Sequence, residues 1–145
     1  ERVHIDQTYN ASIERVNYHL SEDSDRLLNG RMRIINVWRA IHHPAAHKLL
    51  AVSNWRYLDE HDLVPVHFVY PHWTSSTYIM RYNPQHKWWH LSGQTPDELT
   101  AIKCYESEVD LARLTPHSTF ADASSPKEAP HRESIEARPL VFDTE

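Results

Sequence analysis

Polar and apolar positions alternate over the first eight residues. Val3 and Ile5 fall on one side of an extended chain, and His4, Asp6 and Thr8 on the other, so the period of two predicts a strand. The period then lengthens: Ile13, Val16 and Leu20 recur at helical spacing behind Asn10, a residue suited to cap a helix. Ser21 can cap a second short helix through Leu28, stopped by Asn29 and Gly30. Beyond Gly30 the chain reads mainly as strands, at residues 33–39, 49–52, 63–70, 76–82, 87–91 and 99–105, with a last one over 131–142. Pro65 interrupts the third run and points to an edge strand or a bulge, because proline has no N–H to give to a ladder. Thr95, Pro96, Asp97 and Glu98 combine a cap, a proline at the first helical position and a carboxylate three residues after the cap, the signature of one short turn. Ser, Pro and Ala clusters over 121–130 predict a surface loop. Many short strands between turn signals, with no internal repeat and no second domain, predict a mainly β sandwich or barrel with a few short helices.

Composition narrows this picture. The 145 residues suffice for one domain with a single core, and 40% hydrophobic with 24% charged residues is the balance of a soluble globular protein. A formal charge of −5 and the lack of a basic run give no general electrostatic basis for binding nucleic acid or an anionic membrane. No apolar stretch approaches the roughly 20 residues of a membrane span. One cysteine, Cys104, rules out an internal disulfide framework, and no secretory signal is present, so a reducing, cytoplasmic setting is expected. With two glycines, Gly30 and Gly93, a Gly-rich phosphate loop is excluded. The twelve histidines are too many for abundance to point to metal; position has to sort them.

Candidate chemistry begins on the first strand. His4 and Asp6, two apart, project together and offer an imidazole nitrogen and a carboxylate oxygen to one ion. A histidine from another strand completes a facial triad that leaves three positions open on octahedral Fe(II). His117, at a strand or turn boundary after Thr115 and Pro116, is the candidate third ligand. Arg132 and Ser134 follow on the last strand and share a face by period two. A guanidinium fork with a hydroxyl beside it is a donor set suited to the distal carboxylate of 2-oxoglutarate. Each element alone has an ordinary explanation: solvated polar residues for His-x-Asp, a surface arginine for Arg-x-Ser. Their order on a β-rich chain is the specific signal.

Longer segments carry a resemblance. Val3 to Thr8, the run Ile34-Ile35-Asn36-Val37-Trp38-Arg39, Asp62 to Pro65, Arg81 to Trp89, Ile102 to Tyr105 and Arg132 to Arg138 resemble fungal and bacterial secondary-metabolism hydroxylase/desaturases of the aspergillic-acid-cluster type. That family includes proteins named as cephamycin-pathway methyltransferases. The resemblance implies a double-stranded β-helix (jelly roll) and a non-haem dioxygenase that uses Fe(II), O2 and 2-oxoglutarate to hydroxylate or desaturate a small metabolite. It also implies that family members carry a sizeable segment before the His-x-Asp strand. Here three residues precede His4 and there is no initiator methionine, so residues 1–145 are expected to be the C-terminal part of a single jelly-roll oxygenase domain, lacking its first strands.

Other residues compete for roles. Arg39 can hold an anionic substrate group or a structural ion pair, and Trp38, its neighbour on the opposite face, is a second substrate candidate. Arg138 shares the Arg132 face and is the alternative holder of the co-substrate. His42, His43 and His47 have no nearby carboxylate to complete a metal cluster. Of Trp88 and Trp89, one is expected in the core and the other exposed or lining a pocket. Lys103 is expected to snorkel to solvent, and Cys104 to be a buried small hydrophobe. Two rival functions use the same frame. One is a non-catalytic jelly-roll binding module. The other is a zinc-dependent hydrolase built on the same ligands, which leaves Arg132 and Ser134 without a task. The substrate and the oligomeric state are not legible.

Overall fold

Two antiparallel sheets take up the strand-rich sequence. A computed structural model describes residues 2–143, so Glu1, the start of the expected first strand, lies outside the described residues. The elements are β1 (His4–Ile5), α1 (Tyr9–His19), α2 (Ser24–Leu28), β2 (Met32–Ala40), β3 (Leu49–Ser53), β4 (Leu63–Val69), β5 (Thr74–Met80), β6 (Trp88–His90), β7 (Thr100–Glu106), β8 (His117–Phe120), β9 (Ser134–Ala137) and β10 (Leu140–Phe142). One sheet runs β4-β5-β1-β8-β3-β6. In the other, β2 pairs with β7 on one side and with β9 and β10, end to end, on the other. This is the expected jelly-roll architecture.

The core follows from alternation on β2. Met32, Ile34, Asn36, Trp38 and Ala40 are buried, while Arg33, Ile35, Val37 and Arg39 are less so. Met32 and Ile34 pack with Val16, Cys104 and Tyr105; Trp38 and Ala40 pack with Ala45, Leu49 and Ile102. Between these two apolar clusters the same inward series holds Asn36, which is 0% exposed. An amide at that position has to be satisfied by a polar layer, and that layer is where the candidate site lies.

Local chemistry shifts several boundaries. Thr8, not Asn10, caps α1, its hydroxyl accepting from the Ala11 N–H at 3.2 Å. Helix entry at Thr8 is what confines β1 to His4–Ile5. The second helix starts at Ser24 behind Asp23; the Ser21 carbonyl accepts from the Ser24 hydroxyl instead of Ser21 capping the helix. The single last strand becomes β9 and β10, divided at Pro139, whose missing N–H breaks the ladder to β2. The Thr95–Glu98 box forms, Glu98 Oε2 accepting from the Thr95 N–H at 2.8 Å, and closes the expected short turn. Pro65 lies on the edge strand β4. Trp88 and Trp89 are both exposed, because β6 forms the other edge and neither ring reaches the core.

One buried ion network stabilises the end of β7. Glu106, 0% exposed, accepts from Arg31 Nε at 3.0 Å and Nη2 at 2.8 Å, and from Lys103 Nζ at 3.0 Å. Lys103 therefore turns to a buried carboxylate, not to bulk solvent. The Arg31 hydrogen bonds, with help from Lys103 and against the effect of burial, bring the Glu106 pKa down to about 2. A folded-state pKa below the unfolded one means that this contribution is present above about pH 4.5 and is lost as pH falls toward 2. Glu106→Gln is expected to cost about 2–3 kcal/mol at pH 7. Urea unfolding should show the gap between variant and parent narrowing below about pH 4.5.

Candidate metal centre

Register brings the three candidate ligands together. His4 on β1 lies directly opposite His117 on β8, so both rings leave the same face of the sheet, with centroids 4.4 Å apart. Asp6 follows His4 by two, and its Oδ1 lies 3.7 Å from the Nε2 of each histidine. These separations are too long for hydrogen bonds. All three ligand atoms lie within 4.8 Å of one another.

The protonation pattern can be derived. His4 Nδ1 lies 3.1 Å from the Arg2 carbonyl, and His117 Nδ1 lies 3.1 Å from the Thr115 carbonyl. A carbonyl only accepts, so each Nδ1 carries a proton and each Nε2 is the ring atom left to face the site. Burial lowers the His117 pKa, against the charge of Asp6, and favours the neutral form. Burial pushes the Asp6 pKa up, but the neighbouring His117, the Cys104 thiol, Arg138 and Asn36 outweigh it and hold the carboxyl below its usual range. The Nε2 atoms of His4 and His117 and one carboxylate oxygen of Asp6 thus face one another. That donor set fits a divalent cation such as Fe(II).

Asp6 is tightly held. Its Oδ2 accepts from Asn36 Nδ2 at 3.1 Å and from the Cys104 thiol at 3.0 Å, while Arg138 Nη2 stands 3.4 Å from Oδ1. Burial and the charge of Asp6 raise the Cys104 pKa, so the thiol remains a donor. Cys104, expected to be a mere buried hydrophobe, therefore touches the ligand carboxylate. Neither this contact nor that of Asn36 carries a local sequence signal; both depend on the pairing of β2 with β7, where Asn36 lies opposite Ile102.

Two cavities share Arg2, His4 and Asp6. The first, of about 280 Å³, also holds His117, Trp38, Leu50, Ile102, Thr119, Arg132 and Glu136. The second, of about 340 Å³, is walled by Val66, Phe68, Thr77 and Ile79 from β4 and β5. Arg132 stands over the Trp38 ring, its guanidinium carbon 5.5 Å from the centroid, and donates to the Lys48 carbonyl. Ser134 pairs with Ala40 in the sheet and does not line either cavity. Arg39 is exposed on the face of β2 opposite Trp38, away from both cavities, because successive strand residues point to opposite sides. Arg138 is committed to Asp6 and to Glu136, 3.1 Å away. His42 pairs with Glu133 and His47 with the Ala129 carbonyl, so the second histidine group does not converge. Leu50, Ile102, Thr119 and Glu136 enter the cavity without having been singled out by sequence, since only tertiary register brings them there.

Comparison with known proteins agrees with this geometry. Residues 1–142 match the family model described as "Oxidoreductase/YMDC permease-like domain". No helix among the described residues is long and apolar enough to cross a membrane. The chain is 38% identical over 142 residues to an Fe(II)/2-oxoglutarate-dependent dioxygenase, nvfI, of Aspergillus novofumigatus, covering 97% of this chain and 51% of the relative. It is 37% identical over 152 residues to a hydroxylase/desaturase, efuI, of Hormonema carpetanum, covering 97% of this chain and 50% of the relative. Aspirochlorine biosynthesis protein N of Aspergillus oryzae is 35% identical over 131 residues, with 88% and 55% covered. A solved structure, of the iron and alpha-ketoglutarate-dependent endoperoxidase NvfI, superposes with a TM-score of 0.92 at 37% identity over 97% of this chain and 53% of that one. The chain thus spans about half the length of the relatives it matches.

Proposed function

Since the chain belongs to this oxidoreductase family, with fungal hydroxylase/desaturases and Fe(II)/2-oxoglutarate-dependent dioxygenases as relatives, we propose that it carries the metal centre of an Fe(II)/2-oxoglutarate-dependent oxygenase that hydroxylates or desaturates a small metabolite. The observation that carries this reading is the convergence of His4, Asp6 and His117 on the cavity that also contains Arg132. In this reading the three residues would hold Fe(II), which with 2-oxoglutarate as reductant would supply the chemistry that activates O2. The chain's own residues do the rest. His4 and His117 keep their Nδ1 protons on backbone carbonyls and their Nε2 lone pairs toward the ion. Asp6 offsets the ion's charge. Arg132, oriented by the Trp38 ring and the Lys48 carbonyl, presents its fork to the distal carboxylate of 2-oxoglutarate. Leu50, Ile102 and Trp38 form the apolar part of the wall beside it.

The cavity walled by Val66, Phe68, Thr77 and Ile79 is the place for the metabolite, on the other side of His4 and Asp6. A cytoplasmic setting, where Fe(II) and 2-oxoglutarate are both supplied, belongs to the same reading. The comparisons lend no support to a zinc hydrolase or a bare binding module, and the hydrolase reading gives Arg132 no catalytic task. The test is succinate release from 2-oxoglutarate by the full-length protein with Fe(II) and O2. Release that needs Fe(II) and disappears in Asp6→Ala supports the proposal; metal-independent release, or none with any metabolite offered, counts against it.

A further inference from the structure

We propose that Asn36 is a positioning residue that decides which oxygen of Asp6 faces the metal, with Cys104 as its partner. This rests on the reading of His4, Asp6 and His117 as the metal ligands. The inward positions of β2 run Met32, Ile34, Asn36, Trp38, Ala40, and packing alone calls for an apolar residue in the middle. Instead an amide with 0% exposure sits there, its Oδ1 buried without a hydrogen-bond partner. The amide's orientation is forced. Nδ2 donates to Asp6 Oδ2 at 3.1 Å and to Glu136 Oε2 at 3.1 Å, and with an acceptor on each side this is the NH2 end of the amide. Both protons are therefore committed, one to the ligand carboxylate.

Cys104 Sγ donates to the same Oδ2 at 3.0 Å. With Oδ2 tied back by two donors on β2 and β7, Oδ1 is the oxygen left facing the two Nε2 atoms, 3.7 Å from each. The carboxylate is thereby restrained to bind through one oxygen. Without Asn36 and Cys104 the carboxylate would be free to rotate and offer both oxygens to an ion. A partner that orients a ligating carboxylate is typically worth 10–100-fold in metal affinity.

The experiment uses Co(II) as the probe in the full-length protein, read by calorimetry and by visible absorption, with melting temperature measured alongside. Asn36→Leu keeps the branched shape, removes the donor and suits the apolar neighbours. It is expected to bind Co(II) about 10–100-fold more weakly than the parent, with an altered Co(II) spectrum and a melting transition that is lowered but still cooperative, while Arg39→Ala on the far face of β2 binds as the parent does. Equal affinity and an identical spectrum in Asn36→Leu and the parent would overturn the positioning role and leave the metal site standing. A folded parent that binds no Co(II) would overturn both. Should Asn36→Leu fail to fold, Cys104→Ala against Cys104→Ser decides: weakening by alanine with recovery by serine, whose hydroxyl restores the donor, supports the proposal, and equal binding by all three proteins overturns it.

Discussion

Asp6→Ala is expected to abolish tight binding of a divalent metal. Asp6 supplies the one anionic ligand, and its Oδ1 is the atom nearest both imidazoles. In structural zinc sites four ligands share roughly 10–16 kcal/mol, so one ligand's share is about 3–4 kcal/mol, or roughly 10²–10³ in affinity. The same substitution leaves the Asn36 amide, the Cys104 thiol and the Arg138 guanidinium facing an empty pocket, so the melting temperature should fall as well. Asp6→Asn separates the two effects. Its carbonyl oxygen can still accept from Asn36 and Cys104, so stability should hold better than in Asp6→Ala while metal affinity still drops. Calorimetric titration of all three proteins with Fe(II) or Co(II), alongside melting curves, checks both parts.

Arg132→Ala is expected to raise the apparent constant for 2-oxoglutarate by tens-fold to about 100-fold, with metal affinity kept. Removing a guanidinium from a carboxylate that has left water costs about 2–5 kcal/mol, and the half-buried setting of Arg132 favours the lower end of that range. Ser134→Ala should change little, because Ser134 lines neither cavity. Arg138→Ala should do the reverse of Arg132→Ala: it removes the cation 3.4 Å from Asp6 Oδ1, and so acts on stability and on the metal site without a direct effect on the co-substrate. Should Arg138→Ala abolish 2-oxoglutarate binding while Arg132→Ala spares it, the two assignments exchange.

What was legible in the sequence was what period two and chain order encode. His4 and Asp6 on one face, strands at β2, β3, β4, β5 and β7, and Pro65 on an edge all follow from alternation or from proline chemistry. The architecture and the chemistry of the site came from the family resemblance more than from periodicity. What was missed depends on register between strands distant in sequence. Glu106 carries no signal in the local sequence, yet it closes a buried network with Arg31, 75 residues away. Cys104 looked inert because Asp6, 98 residues away, meets it only after β7 pairs with β2. Arg132 and Ser134 were read as one unit because the whole of 131–142 was taken as one strand. In the fold the regular strand begins at Ser134, so the alternation rule no longer ties their side chains to one face.

The most direct test of the central claim is an anaerobic titration of the full-length protein, first with Fe(II) and then with 2-oxoglutarate, followed by visible absorption. The account predicts a weak charge-transfer band that appears only when both are present, saturates at one 2-oxoglutarate per iron, is lost in Asp6→Ala and needs far more 2-oxoglutarate in Arg132→Ala. A protein that is folded and loaded with Fe(II), yet develops no band at saturating 2-oxoglutarate, would contradict it.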